Sequence, residues 1–374
     1  MGNLMIEKNK SFSEPVIIEH DTIRYSFKDL PDEKYYNWEK MASPVGNTED
    51  FTAWGYPYIL HIEPTSLCNL RCPLCACGQK KLNRPYRHMT LDEYRPIIDD
   101  VSQYLMLAVL WDWGEPLMNP AFPSMVRYAS ERDIKTVTST NAHYLNDDKY
   151  LAEVLTSGLT TMIVAIDSLK QTDYAAYRQK GSIDKAISGL EKAVKMKKEL
   201  GSDTTIVLRM MIMKSNENEL DEMKNFARAT KVDIFSVKTV NPTCGLTSSG
   251  DEFLPENPKY RRYKYKQGTN EPIRIVDNKC WNIWHMSDIF SNGDVVACGN
   301  DFEAKNKLGN VFKTPFSKIW KSRAYSELRK RVYLNKDEFI RCRECAQSFQ
   351  NSDAGWFPEF LDLAAERARK ENST

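Results

Sequence analysis

Residues 62–79 read IEPTSLCNLRCPLCACGQ, and they hold Cys68, Cys72, Cys75 and Cys77, four of the nine cysteines in the chain. The run before them, YPYILHIE, ends at Glu63 and is apolar and β-branched enough to predict a strand. A loop that gathers thiols at a strand's end can bring them onto one metal centre.

Working outward, five further apolar stretches follow at regular intervals: LMLAVLW (105–111), IKTVTST (134–140), TTMIVAID (160–167), TTIVLRMMIM (204–213) and VDIFSVKTV (232–240). They alternate with helical patterns. TLDEYRPIIDDVSQ offers Thr90 as N-cap with Asp92 and Glu93 in the first turn. FPSMVRYASERD, NDDKYLAEVLTSG with Gly158 as its stop, one long helix reaching Leu200, and NENELDEMKNFARAT complete the series. Short, largely non-alternating strands between helices predict parallel pairing. Six βα units are too few for a closed eight-stranded barrel, so the expected fold is α/β, a partial (β/α)6 TIM-like barrel. Expected boundaries are 1–52 for a polar N-terminal extension with a short helix at YNWEKM, 53–245 for the barrel, 246–279 for a linker or insertion, 280–350 for a second cysteine-bearing unit, and 351–374 for a C-terminal helix and tail.

The chain has 374 residues and a net charge of +1, which gives no global field for nucleic acid or an anionic membrane. No apolar run approaches the roughly 18 residues of a membrane span, and the first residues have no secretory h-region. A cytoplasmic protein is expected, with no membrane partner. In a reducing compartment nine cysteines suggest metal or catalytic thiols rather than disulfides. The run KYRRYKYK (259–266) interleaves basic and aromatic residues as RNA-binding segments do, but one short run in a neutral chain reads as a solvated helix face, and nucleic acid is not expected as a partner.

Cys68, Cys72 and Cys75 form C-x3-C-x2-C. Three thiolates on a four-iron cubane leave one iron open to a small molecule, whereas structural zinc prefers C-x2-C pairs and a fourth ligand. Cys77 could be that ligand only in a cramped C-x-C, and reads as a bystander. This loop after the first strand of a βα barrel resembles the radical S-adenosylmethionine (SAM) superfamily, in which the open iron of a [4Fe–4S] cluster chelates SAM and reduction yields a 5′-deoxyadenosyl radical. The resemblance extends along residues 57–350. WGEPLMNP resembles the family's Gly-Gly-Glu-Pro segment and implies cofactor contacts from Gly114, Glu115 and Pro116, with Glu115 accepting from the cofactor ammonium. STNAHYL resembles the Thr-Asn-Gly turn, implying Ser139 and Asn141 as cofactor contacts, with Ala142 where the family has glycine. AIDS places Asp167 and Ser168, and the fifth strand places Arg209, where the family meets the ribose or methionine. Leu74, before the third cysteine, stands where the family usually has an aromatic residue and would pack on adenine.

Cys280, Cys298, Cys342 and Cys345 form a second set, C-x17-C, a gap, then C-x2-C, with Gly293 five residues before Cys298. This resembles the SPASM extension, in its shorter twitch form, of 2-deoxy-scyllo-inosamine dehydrogenase-type enzymes, and implies one saturated auxiliary [4Fe–4S] cluster. Four thiolates also suit a zinc ribbon or a structural cluster. A saturated cluster has no room for substrate, so moving electrons is its natural task.

These features together point to dehydrogenation of an alcohol on a small sugar- or aminocyclitol-like molecule, with an external electron donor such as flavodoxin or ferredoxin. Arg209 and Lys238 are candidates for catalysis, and Lys214 and His143 further candidates for the base. Other readings are a peptide-modifying maturase, a radical epimerase using Cys77 or Cys244 as hydrogen donor, or a non-enzymatic iron–sulfur electron carrier, the last disfavoured by the Gly114–Glu115–Pro116 segment.

Overall fold

The computed structural model describes residues 15–43, 45–242, 250–275 and 280–371. Cys244 lies outside the described residues. Among the described residues, twelve strands form two sheets. β1 (Val16–His20) and β2 (Ile23–Phe27) make an antiparallel hairpin. The strands β3 (Ile59–Ile62), β4 (Leu107–Val109), β5 (Lys135–Thr140), β6 (Thr161–Ala165), β7 (Thr205–Ile212) and β8 (Ile234–Thr239) are the six expected from the sequence. They lie side by side in chain order, all parallel.

The barrel stays open because its edge strands pair with the C-terminal part of the chain instead of with each other. β9 (Asp288–Ile289) runs parallel to β3, and β10 (Asp294–Val296) and β11 (Gly309–Asn310) continue outward from it. At the other edge β12 (Glu359–Asp362) runs antiparallel to β8. The sequence predicted helix throughout that last stretch; the helix begins only at Leu363.

Successive residues on a strand face opposite sides of the sheet, and here both sides are covered. Leu60, Ala108, Val164 and Leu208 pack against the helices. Their neighbours Ile59, Leu107, Val109, Val137, Ile163 and Val207 pack against Val16, Ile18, Ile23, Tyr25 and Phe27 of the hairpin. Burying each of those hairpin side chains is worth roughly 2 kcal/mol. The sequence reading found no periodic element here, because the alternation is confined to two strands of five residues each.

The helix after β3, Leu91–Val101, starts with a capping box, Thr90 accepting from Glu93 N while the Glu93 carboxylate accepts from Thr90 N. The single long helix expected after β6 is two, Gln171–Tyr177 and Ile183–Leu200. Lys180 takes a left-handed φ of 67°, and Gly181 N binds Arg178 O, which turns the chain between them. The segment 258–275 pairs back onto the C-terminal chain through Tyr263 against Asn351 and Arg274 against Phe349. Arg262 and Tyr263 are therefore buried, and KYRRYKYK is not a solvated helix face.

Candidate functional site

The loop after β3 folds back on itself closely. A Cβ on Gly78 would lie 2.8 Å from both Cys72 N and Cys72 O, and one on Gly114 would lie 1.9 Å from Thr65 O. The Gly114 approach lets Glu115 N donate to Leu67 O at 2.8 Å and seats the Gly-Glu-Pro segment against the cysteine loop. Cys68, Cys72 and Cys75 sit among Leu70, Leu74, Tyr177 and Met213. Burial pushes Cys72 up to about 12 and Cys75 to about 11. Cys68 is lowered, first by a hydrogen bond from Cys77. Cys77 is buried, and its one S–H serves either Ser66 O, 3.2 Å from its Sγ, or Cys68, so it is a packed, hydrogen-bonded thiol.

Glu115 is buried, and burial raises its pKa. Its Oε1 accepts from the Thr140 hydroxyl at 2.7 Å and Leu117 N at 3.2 Å, and its Oε2 from Asn141 N at 2.8 Å. Asn141 also donates to Asn69 Oδ1 at 2.8 Å, linking the turn after β5 to the cysteine loop. Ala142 sits in the left-handed region at φ 70°, which is the physical reason a glycine suits that turn. Ser139 lies on β5 opposite Ile163, one residue before Thr140. Pro116 begins the short turn that Glu115 caps.

Asp167 and Ser168 follow β6 but are engaged with other protein groups. Asp167 accepts from Arg178 Nε at 2.6 Å and from Met211 N at 2.8 Å, and Ser168 donates to Glu219 Oε2 at 2.6 Å. Arg178 was not singled out from the sequence. It lies in the break between the two helices after β6, and its charge acts on Cys68, Cys72, Cys75 and Glu115 together. The only sequence signal for it is an arginine just before the Gln-Lys-Gly turn.

Arg209 and Lys238 come together, but at the tip of the N-terminal hairpin. Arg209 donates to Asp21 Oδ2 at 2.8 Å, to Asp21 O at 3.0 Å and, through Nε, to Ser236 Oγ at 3.0 Å. Lys238 Nζ lies 3.6 Å from Asp21 Oδ2. Burial lowers the pKa of Lys238. The other basic candidates are occupied elsewhere. Lys214 pairs with Glu256 at 2.7 Å, and His143 accepts from Ser182 N through Nε2 at 3.0 Å while its Nδ1 faces Asn141.

The second cysteine set converges as well. Cys280, Cys298, Cys342 and Cys345 line one cavity with Ile283, Leu328, Val332 and Phe339. Burial raises all four thiols, Cys342 to about 12, and repulsion from neighbouring cysteines adds to the rise at Cys280, Cys298 and Cys342. A cationic iron cluster held there would reverse that penalty, and Asn300 Nδ2, 3.6 Å from Cys345 Sγ, could donate to a thiolate. Among the described residues no three His, Cys, Asp or Glu side chains close around a single metal ion. Trp113, beside the Gly-Glu-Pro segment, donates to Gly299 O at 2.9 Å and ties the two cysteine regions together.

Between them lies a second cavity of about 290 Å³. Leu74 and Tyr177 form one wall, Cys345 and Gln347 another, and Lys238 and Arg262 also line it. No described helix is long and apolar enough to cross a membrane.

Family models match two segments of the chain. The radical SAM superfamily model matches residues 62–227, and the iron–sulfur cluster-binding SPASM domain matches residues 280–346. Fe-coproporphyrin III synthase from Methanosarcina barkeri is 24% identical over 327 residues, spanning 75% of this chain and 78% of that protein. A tungsten-containing aldehyde ferredoxin oxidoreductase cofactor-modifying protein from Pyrococcus furiosus is 26% identical over 319 residues, spanning 77% and 86%. Among solved structures, Streptococcus suis SuiB bound to its precursor peptide SuiA superposes with a TM-score of 0.56 at 16% identity, covering 86% of this chain and 75% of SuiB. BtrN in complex with AdoMet and 2-DOIA gives 0.51 at 17% identity, covering 82% and 97%. At such identities these two show a shared fold.

Proposed function

Because the chain carries a radical SAM domain followed by a SPASM iron–sulfur domain, we propose that it oxidises an alcohol of a small, hydroxylated, sugar- or aminocyclitol-like molecule. The two domains imply SAM, a [4Fe–4S] cluster and auxiliary iron–sulfur as cofactors. Cys68, Cys72 and Cys75 would hold the first cluster, and Cys280, Cys298, Cys342 and Cys345 the second. Bound together, these groups supply a 5′-deoxyadenosyl radical and an acceptor for a second electron. Glu115 would orient the cofactor ammonium, and Leu74 and Tyr177 would shut water out beside it.

The observation that carries the reading is the 290 Å³ cavity walled by Leu74 on one side and Cys345 on the other. A small molecule there touches both cysteine regions at once. Converting an alcohol to a carbonyl removes one hydrogen atom, one proton and one electron, and each needs a destination within reach. The hydrogen atom would leave on the Leu74 side, where Cys68, Cys72 and Cys75 would hold one cluster, and the electron on the Cys345 side, where the second set would hold the other. Lys238 lines the same cavity and is our candidate for taking the proton in its neutral form, which burial favours. Arg209 acts through Asp21 to position Lys238.

The test is anaerobic reconstitution with iron counting. The wild type should hold about eight irons and a Cys68/Cys72/Cys75 triple alanine variant about four. Wild type with SAM and a reductant should release 5′-deoxyadenosine, and the variant should not. With substrate, each SAM consumed should give one carbonyl product. A product at the substrate's own oxidation level would point to epimerisation instead.

A further inference from the structure

The cavity between the two cysteine regions has an uneven charge balance. Arg209, Lys238 and Arg262 cluster at its β8 end, and Asp21 is the carboxylate that faces them. Arg209 and Lys238 both pair with it. Arg262 is only 4% exposed, and among the described residues no carboxylate pairs with it. Its Nε donates to the Thr239 hydroxyl at 3.0 Å, its Nη2 donates to Thr239 O, and its guanidinium carbon lies 5.0 Å from the Trp356 ring centre. These contacts fix the plane of the guanidinium without neutralising it. A buried cation with no carboxylate in contact, sharing one distant Asp21 with two other cations, is costly, and this one lines a cavity large enough for a ligand.

We propose that the molecule bound in this cavity carries a carboxylate or a phosphate, and that Arg262 holds it. The proposal rests on the reading of this cavity as the substrate site and narrows it, selecting sugar acids or sugar phosphates over neutral or amine-bearing cyclitols. Asn241, Asn282 and Asn300 also line the cavity, and their amides suit the hydroxyls of such a ligand.

The test is calorimetric titration of the reconstituted enzyme with glycerol 3-phosphate and with D-gluconate, each against its neutral counterpart, glycerol or sorbitol. The two anions separate the phosphate source from the carboxylate source. Wild type should prefer at least one anion over its neutral partner by tenfold or more, Arg262→Gln should lose that preference, and Arg262→Lys should keep part of it. Equal binding of anion and neutral partner by the wild type, or an unchanged preference in Arg262→Gln, overturns the proposal. The wild-type comparison stands even if Arg262→Gln does not fold. Release of 5′-deoxyadenosine by the wild type, measured in parallel, tests the radical reading independently of the anion preference.

Discussion

Replacing Asp21 by Asn would remove the one carboxylate that Arg209 and Lys238 share. At an effective dielectric of about 20, contacts at 2.8 and 3.6 Å represent roughly 6 and 5 kcal/mol of gross attraction. Desolvation of all three groups offsets most of that. What Asp21→Asn leaves behind is two largely buried cations facing each other, and breaking such a pair costs about 3–5 kcal/mol. The same contacts set a pH dependence. Burial pushes the Asp21 carboxyl up, but Lys238, Arg209 and His20 together outweigh it and hold the pKa well below the usual range. A depressed folded pKa contributes stability that is fully present above the ordinary carboxylate pKa of about 4 and is lost as pH falls through the folded value. Anaerobic denaturant unfolding of the reconstituted protein at pH 7 and at steps down to about pH 3 measures both effects. The variant should lose about 3 kcal/mol or more at pH 7, and its stability should fall less steeply with acid than that of the wild type. A double variant, Asp21→Asn with Arg209→Gln, should recover part of the loss because the uncompensated cation has gone. A loss under about 1 kcal/mol at pH 7, or an acid limb identical to that of the wild type, would refute the reasoning.

Glu115→Gln should weaken SAM binding at least tenfold, about 1.4 kcal/mol, while iron content stays unchanged; equilibrium dialysis and iron analysis check both. Gly114→Ala should cost about 3 kcal/mol or more, read as lost soluble yield or a lowered unfolding midpoint, because the new Cβ meets Thr65 O at 1.9 Å. Arg84→Met breaks a buried bidentate pair with Glu63 at 2.7 and 2.6 Å and should destabilise by about 3–5 kcal/mol; Arg84→Met with Glu63→Leu should restore part of it. Thr90→Ala removes the acceptor of the capping box and should cost about 1 kcal/mol in the same unfolding assay.

Much of the barrel was legible because its strands are short apolar runs and its helices carry caps that local chemistry specifies. Thr90 marks a helix start by its own side chain. The cysteine sets were legible because ligand spacing is a local property. What stayed hidden depends on distant partners. Arg209 reads as a cofactor contact from its place on β7, yet its carboxylate lies 188 residues away on a hairpin whose alternating Val16, Ile18, Ile23, Tyr25 and Phe27 could have been recognised as strands. Arg178 was missed because the helix around it looked continuous, and only the left-handed Lys180 and the turn at Gly181 separate the two halves. Arg262 was read inside a charged surface run, since nothing local reports that Tyr263 pairs with Asn351 and carries its neighbour inward.

The pairing of β3 with β9 and of β8 with β12 also bears on how the chain is made. At about 5–20 residues per second, the β3 border of the six-stranded core stays bare for about 2–10 s and the β8 border for about 6–24 s after translation of that core is complete. Bare edges are templates for wrong partners. A truncation that keeps the barrel and discards the C-terminal strands should therefore aggregate rather than behave as an independent unit, and the second cysteine region serves as a stopper on the sheet as much as a holder of metal.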